Sequence, residues 1–416
     1  MYTSDSHLET LLSEYLIKLN NWVGSNGWAG WDPYDIYNNK FGMWVGKRKT
    51  LIQKASGSII SQVNHRFPMH LRNWINVKPS VNAKAMGLFA EGYLKLEFSK
   101  KFQNILSVEK KYNSCFQWLD NNKIVKYGGI GWGYPFDWMS RIFIPKNTPT
   151  VVNSAIIGDA YWLKYKIFKD EKALSQCENI CHFIVKGLNR SGYKDDGSFS
   201  FSYTPLDKFQ VHNANLFGAE FIIRVGMETG QDEWVDAGLL ATKFSLSEIR
   251  DDGTLNYWSY EQAKGVQQDT YHSGFEIRAL SRIAILTELQ EIKTVANAYF
   301  NTWITDYYSA SGEPNYIRGQ TDVIEVHSCA EAILCTTEFY RNGYISKSKY
   351  LKLIKNIMFS AKKLWVRNGK NKGYFASSIK NKTMTDIPYI RWGQAWMFNA
   401  ISNSLTSLNE NEVKNK

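Results

Sequence analysis

Apolar residues along this chain fall into two kinds of segment that alternate. The stretches AMGLFAEGY from Ala85 and AIIGDAYW from Ala155 are apolar nearly all round and carry Gly87, Gly92 and Gly158. That is the pattern of helices crowded on both sides, where a missing side chain lets backbones approach. Between Glu171 and Gly187, by contrast, Ala173, Leu174, Cys177, Ile180, Cys181 and Ile184 form one stripe with charges opposite. This predicts a helix with one wet face.

The all-apolar segments recur. Each follows a loop rich in Gly, aromatics and Asp: SVNAKAMGLFAEGYL at Ser80, TVVNSAIIGDAYWL at Thr150, QVHNANLFGAEFII at Gln210, DTYHSGFEIRALSRI at Asp269, IEVHSCAEAILCTTEF at Ile324 and PYIRWGQAWMFNAI at Pro388. Aligning Val81, Val152, His212, His272, His327 and Arg391 gives a repeat of 55 to 71 residues, which predicts six helical pairs. The apolar helices leave through short turns such as FKDEK at Phe168 and GMETGQDE at Gly226. The return paths are long: 122–149, 189–210, 250–268 and 310–322. If the short turns share one end, the long loops converge at the other, over the N-termini of the apolar helices.

The expected architecture is therefore all-α, an (α/α)6 toroid with six inner and six outer helices over residues 77–416, with an N-terminal helical segment, 1–76, packed on it. An open α-solenoid is the alternative, using shorter and more uniform repeats. Strand signals are confined to YGGIGWGY and FSFSY, short pairings inside loops.

Composition narrows the function. The 416 residues are 44% hydrophobic and 21% charged, enough for a large core and too apolar for global disorder. Aromatics reach 15%, which suggests an aromatic-lined cleft. The net charge of +11 admits nucleic acid, an anionic membrane or an anionic substrate. Neither basic run (Lys47, Arg48, Lys49; then Lys362, Lys363, Arg367, Lys370, Lys372, Lys380, Lys382) belongs to a nucleic-acid-binding module, and both read as solvated faces. No nucleic-acid partner is expected. Five cysteines without metal spacing read as reduced core thiols. With no secretory leader in MYTSDSHLETLLSEYL and no apolar run long enough to span a bilayer, the expected address is cytoplasmic, with peripheral attachment to the inner membrane left open.

Three of only seven histidines, His212, His272 and His327, fall on the same repeat position, with Arg391 in the sixth. A single histidine at a helix start reads most simply as a cap or a packed ring; three converging on one face point to a site. Carboxylates precede the same helices. For Asp269 and Asp322 the simplest reading is an ordinary N-cap, and Asp269 is also expected at the substrate. Asp137 in GYPFDW and Asp207 in YTPLD lie in aromatic, Pro-containing loops, where desolvation would raise a carboxyl and suit it to acid catalysis. Two such carboxylates across a cleft would serve glycosidic cleavage, with His212 and His272 orienting the sugar.

The same face carries a second chemistry. Abstracting the C5 proton of a uronate needs a Tyr or His base and groups that hold the substrate carboxylate. Tyr203, Tyr271, His212, His272, Asn153, Asn213, Arg141 and Arg391 supply them. Trp132, Trp138, Trp258 and Trp392, beside Gly or in polar loops, would stack on the apolar faces of sugars, unless they only anchor those loops. No cofactor is expected: GGIGWGYPF at Gly128 lacks the Lys-Ser/Thr ending of a phosphate loop, and there is neither a His-Glu-x-x-His nor a Gly-x-Ser-x-Gly motif. Asp322, Glu325 and His327 are weakly spaced for a metal, and none is expected.

The segment GGIGWGYPFDWMSRIFIPKNTPTVVNSAIIG, followed by YTPLD, VHNAN and HSGF, resembles a bacterial family encoded in surface-polysaccharide gene clusters for capsule, exopolysaccharide and lipopolysaccharide O-chain. The likeness is strongest from Tyr127 to Gly274. More distantly the chain is similar to toroidal sugar enzymes, namely glucuronyl C5-epimerases, uronate lyases and N-acylglucosamine 2-epimerases. The resemblance implies polysaccharide biosynthesis and an oligosaccharide or polysaccharide substrate, with no catalytic residue carried over. The expected function is thus a carbohydrate-active enzyme that cleaves a glycosidic bond. The alternatives are a uronate C5-epimerase or lyase, and a non-catalytic glycan-binding protein of an assembly complex.

Overall fold

The computed structural model describes residues 4–46, 50–263, 268–367 and 373–414. In chain order its helices are α1 (Ser4–Asn26), α2 (Lys40–Gly46), α3 (Leu51–Arg66), α4 (Pro68–Trp74), α5 (Ala83–Lys95), α6 (Lys100–Leu106), α7 (Val108–Asn121) and α8 (Val151–Phe168). There follow α9 (Glu171–His182), α10 (His212–Thr229), α11 (Asp232–Leu246), α12 (Thr270–Thr287), α13 (Gln290–Asp306), α14 (Val326–Arg341), α15 (Lys347–Lys363) and α16 (Trp396–Lys414).

The six apolar segments become α5, α8, α10, α12, α14 and α16. Each packs on the next, and α16 packs back on α5. The ring is closed, which makes it an (α/α)6 toroid and excludes the open solenoid. Glycines on α5 permit the closure: a Cβ on Gly87 would stand 2.8 Å from Ile157 of α8, and one on Gly92 2.8 Å from Phe398 of α16. Both neighbours would have to retreat.

Helices α7, α9, α11, α13 and α15 form the outer layer, and α1 takes the outer place beside α16. Local chemistry sets the polarity. Inner helices start on side-chain caps: Asn82 Oδ1 accepts from Lys84 N at 3.0 Å, Thr150 Oγ1 from Asn153 N at 3.0 Å, Asp269 Oδ1 from His272 N at 2.8 Å and Glu325 Oε2 from Ser328 N at 2.7 Å. Helices α8, α10 and α12 end on left-handed residues, Lys169, Gly230 and Glu288 (φ 54°, 68° and 57°), and the chain reverses within two residues. Short turns therefore gather at one end and long loops at the other.

The loops carry short pairings. Ile124–Lys126 pairs with Gly129–Gly131, and Arg190–Ser191 with Ser200–Phe201. Ser378–Lys380 lies between Val323–Glu325 and Thr383–Thr385 in a three-stranded sheet. The α2–α4 excursion sits on this loop face. Arg72 ties it down, with Nε 2.9 Å from Asp35 Oδ1 and Nη2 donating to Asp32 O at 2.8 Å and Tyr389 Oη at 3.1 Å. His65 also meets Thr385 Oγ1 at 2.5 Å.

All five cysteines are buried and unpaired. No described helix is long and apolar enough to cross a membrane. Of the two basic runs, Lys47, Arg48, Lys49, Lys370 and Lys372 lie outside the described residues, while Lys362, Lys363, Arg367, Lys380 and Lys382 are exposed.

Candidate active site

A hollow with about 70 Å³ of space for water opens at the N-terminal ends of the inner helices, enough for several water molecules. Every inner helix reaches it: α5 through Lys84, α8 through Val152, α10 through Asn213, α12 through Tyr271, His272 and Phe275, α14 through His327, and the π-helical turn leading into α16 through Arg391 and Trp392. Loops add Tyr34, Tyr134, Phe136, Trp138, Tyr203 and Tyr257.

Two imidazoles face this hollow in different states. Asp269 caps α12 with Oδ1 and uses Oδ2 to accept from His272 Nδ1 at 2.7 Å. A carboxylate only accepts, so Nδ1 carries the proton and Nε2, which makes no hydrogen bond among the described residues, presents a lone pair. His327 is buried with neither ring nitrogen bonded. Burial, together with the positive Arg391 nearby, holds it well below the usual histidine range, so it is neutral. Tyr271 lies between the two, its ring 4.1 Å from His272 and 4.4 Å from His327 by centroids.

The positive side of the hollow is Arg391 and Lys84. Arg391 is clamped by Asp32, Nε to Oδ2 at 2.5 Å and Nη2 to Oδ1 at 2.8 Å, and Asp32 Oδ1 also accepts from Tyr34 N at 3.1 Å. Lys84 Nζ makes no hydrogen bond and stands 5.7 Å from the centre of Tyr134. Burial and the neighbouring Arg391 push its ammonium well below the usual lysine range. Burial likewise raises Tyr34, Tyr134, Tyr203, Tyr257 and Tyr271, so these phenols stay protonated donors. A tyrosinate base is therefore disfavoured here. Glu325, which accepts from Trp392 Nε1 at 2.5 Å, is pushed up to about 7 by burial.

Among the described residues, Asn213 Oδ1 and both nitrogens of His327, on residues that line the hollow, and Asn82 Nδ2 and both amide atoms of Asn153, at the starts of α5 and α8, have no hydrogen-bond partner. Buried polar groups are normally bonded, so this layer is built to meet something polar.

The expected residues divide. His272, His327, Tyr203, Tyr271, Asn213, Trp138, Arg391 and Trp392 converge on the hollow. Asp269 serves it from behind His272, and Asn153 lies buried one residue beyond Val152. His212 turns the other way, outward to α11, with Nδ1 3.1 Å from Ser245 Oγ and Nε2 3.2 Å from Glu248 Oε2. The two carboxylates do not face each other across the hollow. Asp137 Oδ1 accepts Lys146 N at 2.8 Å, and only its neighbours Phe136 and Trp138 line the cavity. Asp207 is buried and raised, as desolvation predicts, yet both its oxygens are occupied by Tyr203 N, Thr204 N, Thr204 Oγ1 and Phe209 N at 2.6–3.0 Å. It positions Tyr203. Trp132 is buried, its Nε1 bonded to Leu119 O. Arg141 stacks 3.7 Å over Trp258 and donates to Gln262 O, clasping two loops beside the site.

Lys84, Asp32, Tyr34, Tyr134 and Tyr257 were not anticipated. Lys84 had a signal, standing two residues inside the first repeat. Asp32 and Tyr34 had none, since no repeat precedes α5. No group of three or more His, Cys, Asp or Glu among the described residues is arranged to hold a metal.

No protein-family model matches the chain, and no curated protein matches its sequence. Solved structures do share its fold. An unsaturated glucuronyl hydrolase specific for heparin superposes with a TM-score of 0.60 at 13% identity, covering 99% of this chain and 99% of that one. A GH76 α-mannanase from Bacteroides thetaiotaomicron gives 0.59 at 14% identity over 92% and 99%. Cellobiose 2-epimerase from Bacillus thermoamylovorans gives 0.58 at 12% identity over 79% and 88%. These neighbours are (α/α)6 toroid sugar enzymes, and at such identities the likeness establishes the architecture alone.

Proposed function

We propose that this chain is a carbohydrate-active enzyme that moves a proton at a sugar carbon beside a carbonyl or carboxylate, as an epimerase or lyase does. The observation that carries this reading is the pair His272–Asp269 and His327, open on one cavity with three ring nitrogens between them unpaired. In this reading His272 Nε2 takes the carbon-bound proton, and Asp269 steadies the imidazolium that forms. The electron pair moves onto the substrate oxygen, where Arg391 and Lys84 meet the developing charge. In an epimerase a proton then returns to the carbon from the other side. A lyase instead expels the oxygen substituent on the neighbouring carbon.

Sugar enzymes recur among proteins of this fold, and epimerisation and hydrolysis are both named there, so the fold does not select the reaction. What favours proton transfer in this reading is that the carboxylates expected for hydrolysis do not line the hollow: Asp207 has both oxygens occupied within its own loop, and Asp137 accepts Lys146 N. Arg391 and Lys84 suit an anionic sugar, and the resemblance to surface-polysaccharide proteins suggests such a glycan as substrate. The inner helices α5 to α16 would carry the reacting groups, with the segment 1–76 lending Asp32 and Tyr34 as well as the outer helix α1.

Incubation of uronate-containing and neutral oligosaccharides with the protein in D2O tests this. Expected is deuterium at the carbon next to the carbonyl or carboxylate, or an ultraviolet-absorbing unsaturated sugar. New reducing ends without either would indicate hydrolysis, and tight glycan binding with no product an assembly protein.

A further inference from the structure

Helix α3 is inverted. Its buried residues are Gln53 and Gly57, while Leu51, Ile52 and Ile59 on its outer side are 83%, 69% and 62% exposed. Core-facing helices do the opposite. Its neighbours also expose apolar side chains: Phe41 and Trp44 stack at 5.9 Å on α2, Phe67 precedes α4, and Trp74 ends it at 71% exposure. Exposed apolar side chains scattered singly need no explanation, but a run of aromatics and branched aliphatics on three consecutive helices does.

The charge of the same stretch is one-sided. From Ile36 to Ala90 the sequence has no Asp or Glu, and Lys40, Lys54, Arg66 and Lys78 are exposed among the apolar residues. A water-facing surface in a chain of mixed charge has no reason to exclude acids over such a length. We propose that α2–α4 is a docking surface for an anionic lipid bilayer, with Trp44, Ile52, Ile59 and Trp74 entering the interface while the Lys and Arg heads stay at the phosphates. Trp and Phe suit the boundary between headgroup and acyl chain, and long basic side chains reach past apolar surface to anionic headgroups. A protein partner or a second copy of the chain would bury the apolar residues equally well. A second copy would set the same basic stretch against itself, and a protein partner would have to be acidic as well as apolar; a bilayer rich in anionic lipid offers a dense anionic surface over an apolar interior in one occupant. The excursion is tied to the segment that walls the hollow, because Arg72 of α4 donates to Asp32 O, two residues before Tyr34. Docking would hold the cavity close to the headgroup layer, whatever reaction occurs there.

Flotation of the full chain with vesicles tests this, using phosphatidylcholine alone or phosphatidylcholine mixed with phosphatidylglycerol. Binding is expected to the mixed vesicles, falling tenfold or more in about 0.5 M salt, where the Debye length is only a few ångströms. Two independent double variants, I59S/W74S and K54E/R66E, should each lower vesicle partitioning roughly tenfold or more while melting with the parent by circular dichroism, since all four side chains are exposed. Brominated acyl chains should quench part of the Trp fluorescence of the parent and less in I59S/W74S. Absence of vesicle binding, equal binding to neutral vesicles, or binding by folded variants at the parent's level overturns the proposal. So does self-association that I59S/W74S abolishes while vesicle binding persists, which assigns the face to a second copy.

Discussion

The two ends of the hollow are lined by the same six helices and treat polar groups in opposite ways. At the loop end His327, Asn153 and Asn213 are buried with polar atoms that have no partner among the described residues. Four to eleven residues further along the helices, about 6–17 Å at 1.5 Å per residue, the interior is plugged by ion pairs. Arg278 grips Glu331 with Nε–Oε1 at 2.6 Å and Nη2–Oε2 at 3.0 Å, and Arg282 grips Glu338 with both contacts at 2.9 Å. Arg282 also reaches Asp159 at 3.3 Å, which Arg224 shares with Glu220, and Lys95 holds Glu91 at 2.5 Å. A charge that has found its partner holds helices together and is chemically silent. Groups left unpaired at the other end carry a desolvation cost that a polar ligand would relieve.

The strongest way to break the comparison is to unpair the plug. Arg278→Ala strands Glu331 in the core and is expected to destabilise the fold by about 3–5 kcal/mol, whereas the double change Arg278→Met with Glu331→Leu is expected to recover most of that loss. Urea unfolding of both variants measures it. If Arg278→Ala melts like the parent, the plug is not structural.

At the loop end the prediction reverses. His272→Ala should lower turnover by roughly 10²–10⁴-fold while leaving the urea midpoint almost unchanged. Asp269→Asn should retain the helix cap through its remaining oxygen, lose the carboxylate that fixes the imidazole tautomer, and show a smaller loss of turnover with a shifted pH profile. Solvent deuterium exchange into the sugar measures both. A large stability loss in His272→Ala would make this end structural too.

How much of this contrast was legible in the sequence follows from where repetition reached. The six apolar segments, their polarity and the converging loops were legible because closely packed helices need small residues at fixed spacing, and those spacings recur. His272, His327 and Arg391 were found because they share a repeat position. The same logic overreaches at His212, whose position is equivalent but whose neighbours, Ser245 on α11 and Glu248 just beyond its end, draw the ring outward. Sequence registers position on a helix, not which of two packed partners wins the side chain. Asp137 and Asp207 stand out in the sequence for their aromatic surroundings, and the hydrogen bonds they accept come mostly from backbone groups that no residue identity reveals. The outer role of α1 and the clamp of Asp32 on Arg391 join the two ends of the chain, beyond any local pattern.

Acid should sharpen the contrast through His327. Its folded-state value lies below that of a free imidazole, so below about pH 6.5 the unfolded chain binds a proton that the folded chain refuses. Stability is then present above that pH and lost as pH falls, by up to about 1.4 kcal/mol per pH unit from this one group. His327→Leu removes that component. Urea unfolding at pH 7.5 and at pH 5.5 should therefore show a smaller acid-side loss in the variant. Equal losses would mean His327 accepts its proton in place, and the unpaired layer would not be as dry as its burial indicates.

The smallest expected effect discriminates most sharply between reactions. Asp137 accepts one backbone N–H through Oδ1, and its side chain does not line the hollow. Asparagine keeps that acceptor, so Asp137→Asn should alter stability by less than about 0.5 kcal/mol, as surface changes away from special features do, and turnover by no more than about threefold. Asp207→Asn is different in kind, because its two oxygens together close the loop behind Tyr203, and an amide there turns donors toward donors at a cost of about 1–3 kcal/mol. Under glycosidic cleavage by this pair, Asp137→Asn would instead be the most damaging substitution for catalysis, with the fold intact. Assaying Asp137→Asn and His272→Ala side by side on one glycan therefore ranks carboxylate against imidazole directly, and loss of turnover in the first alone would move the chemistry out of the hollow and into the loops above it.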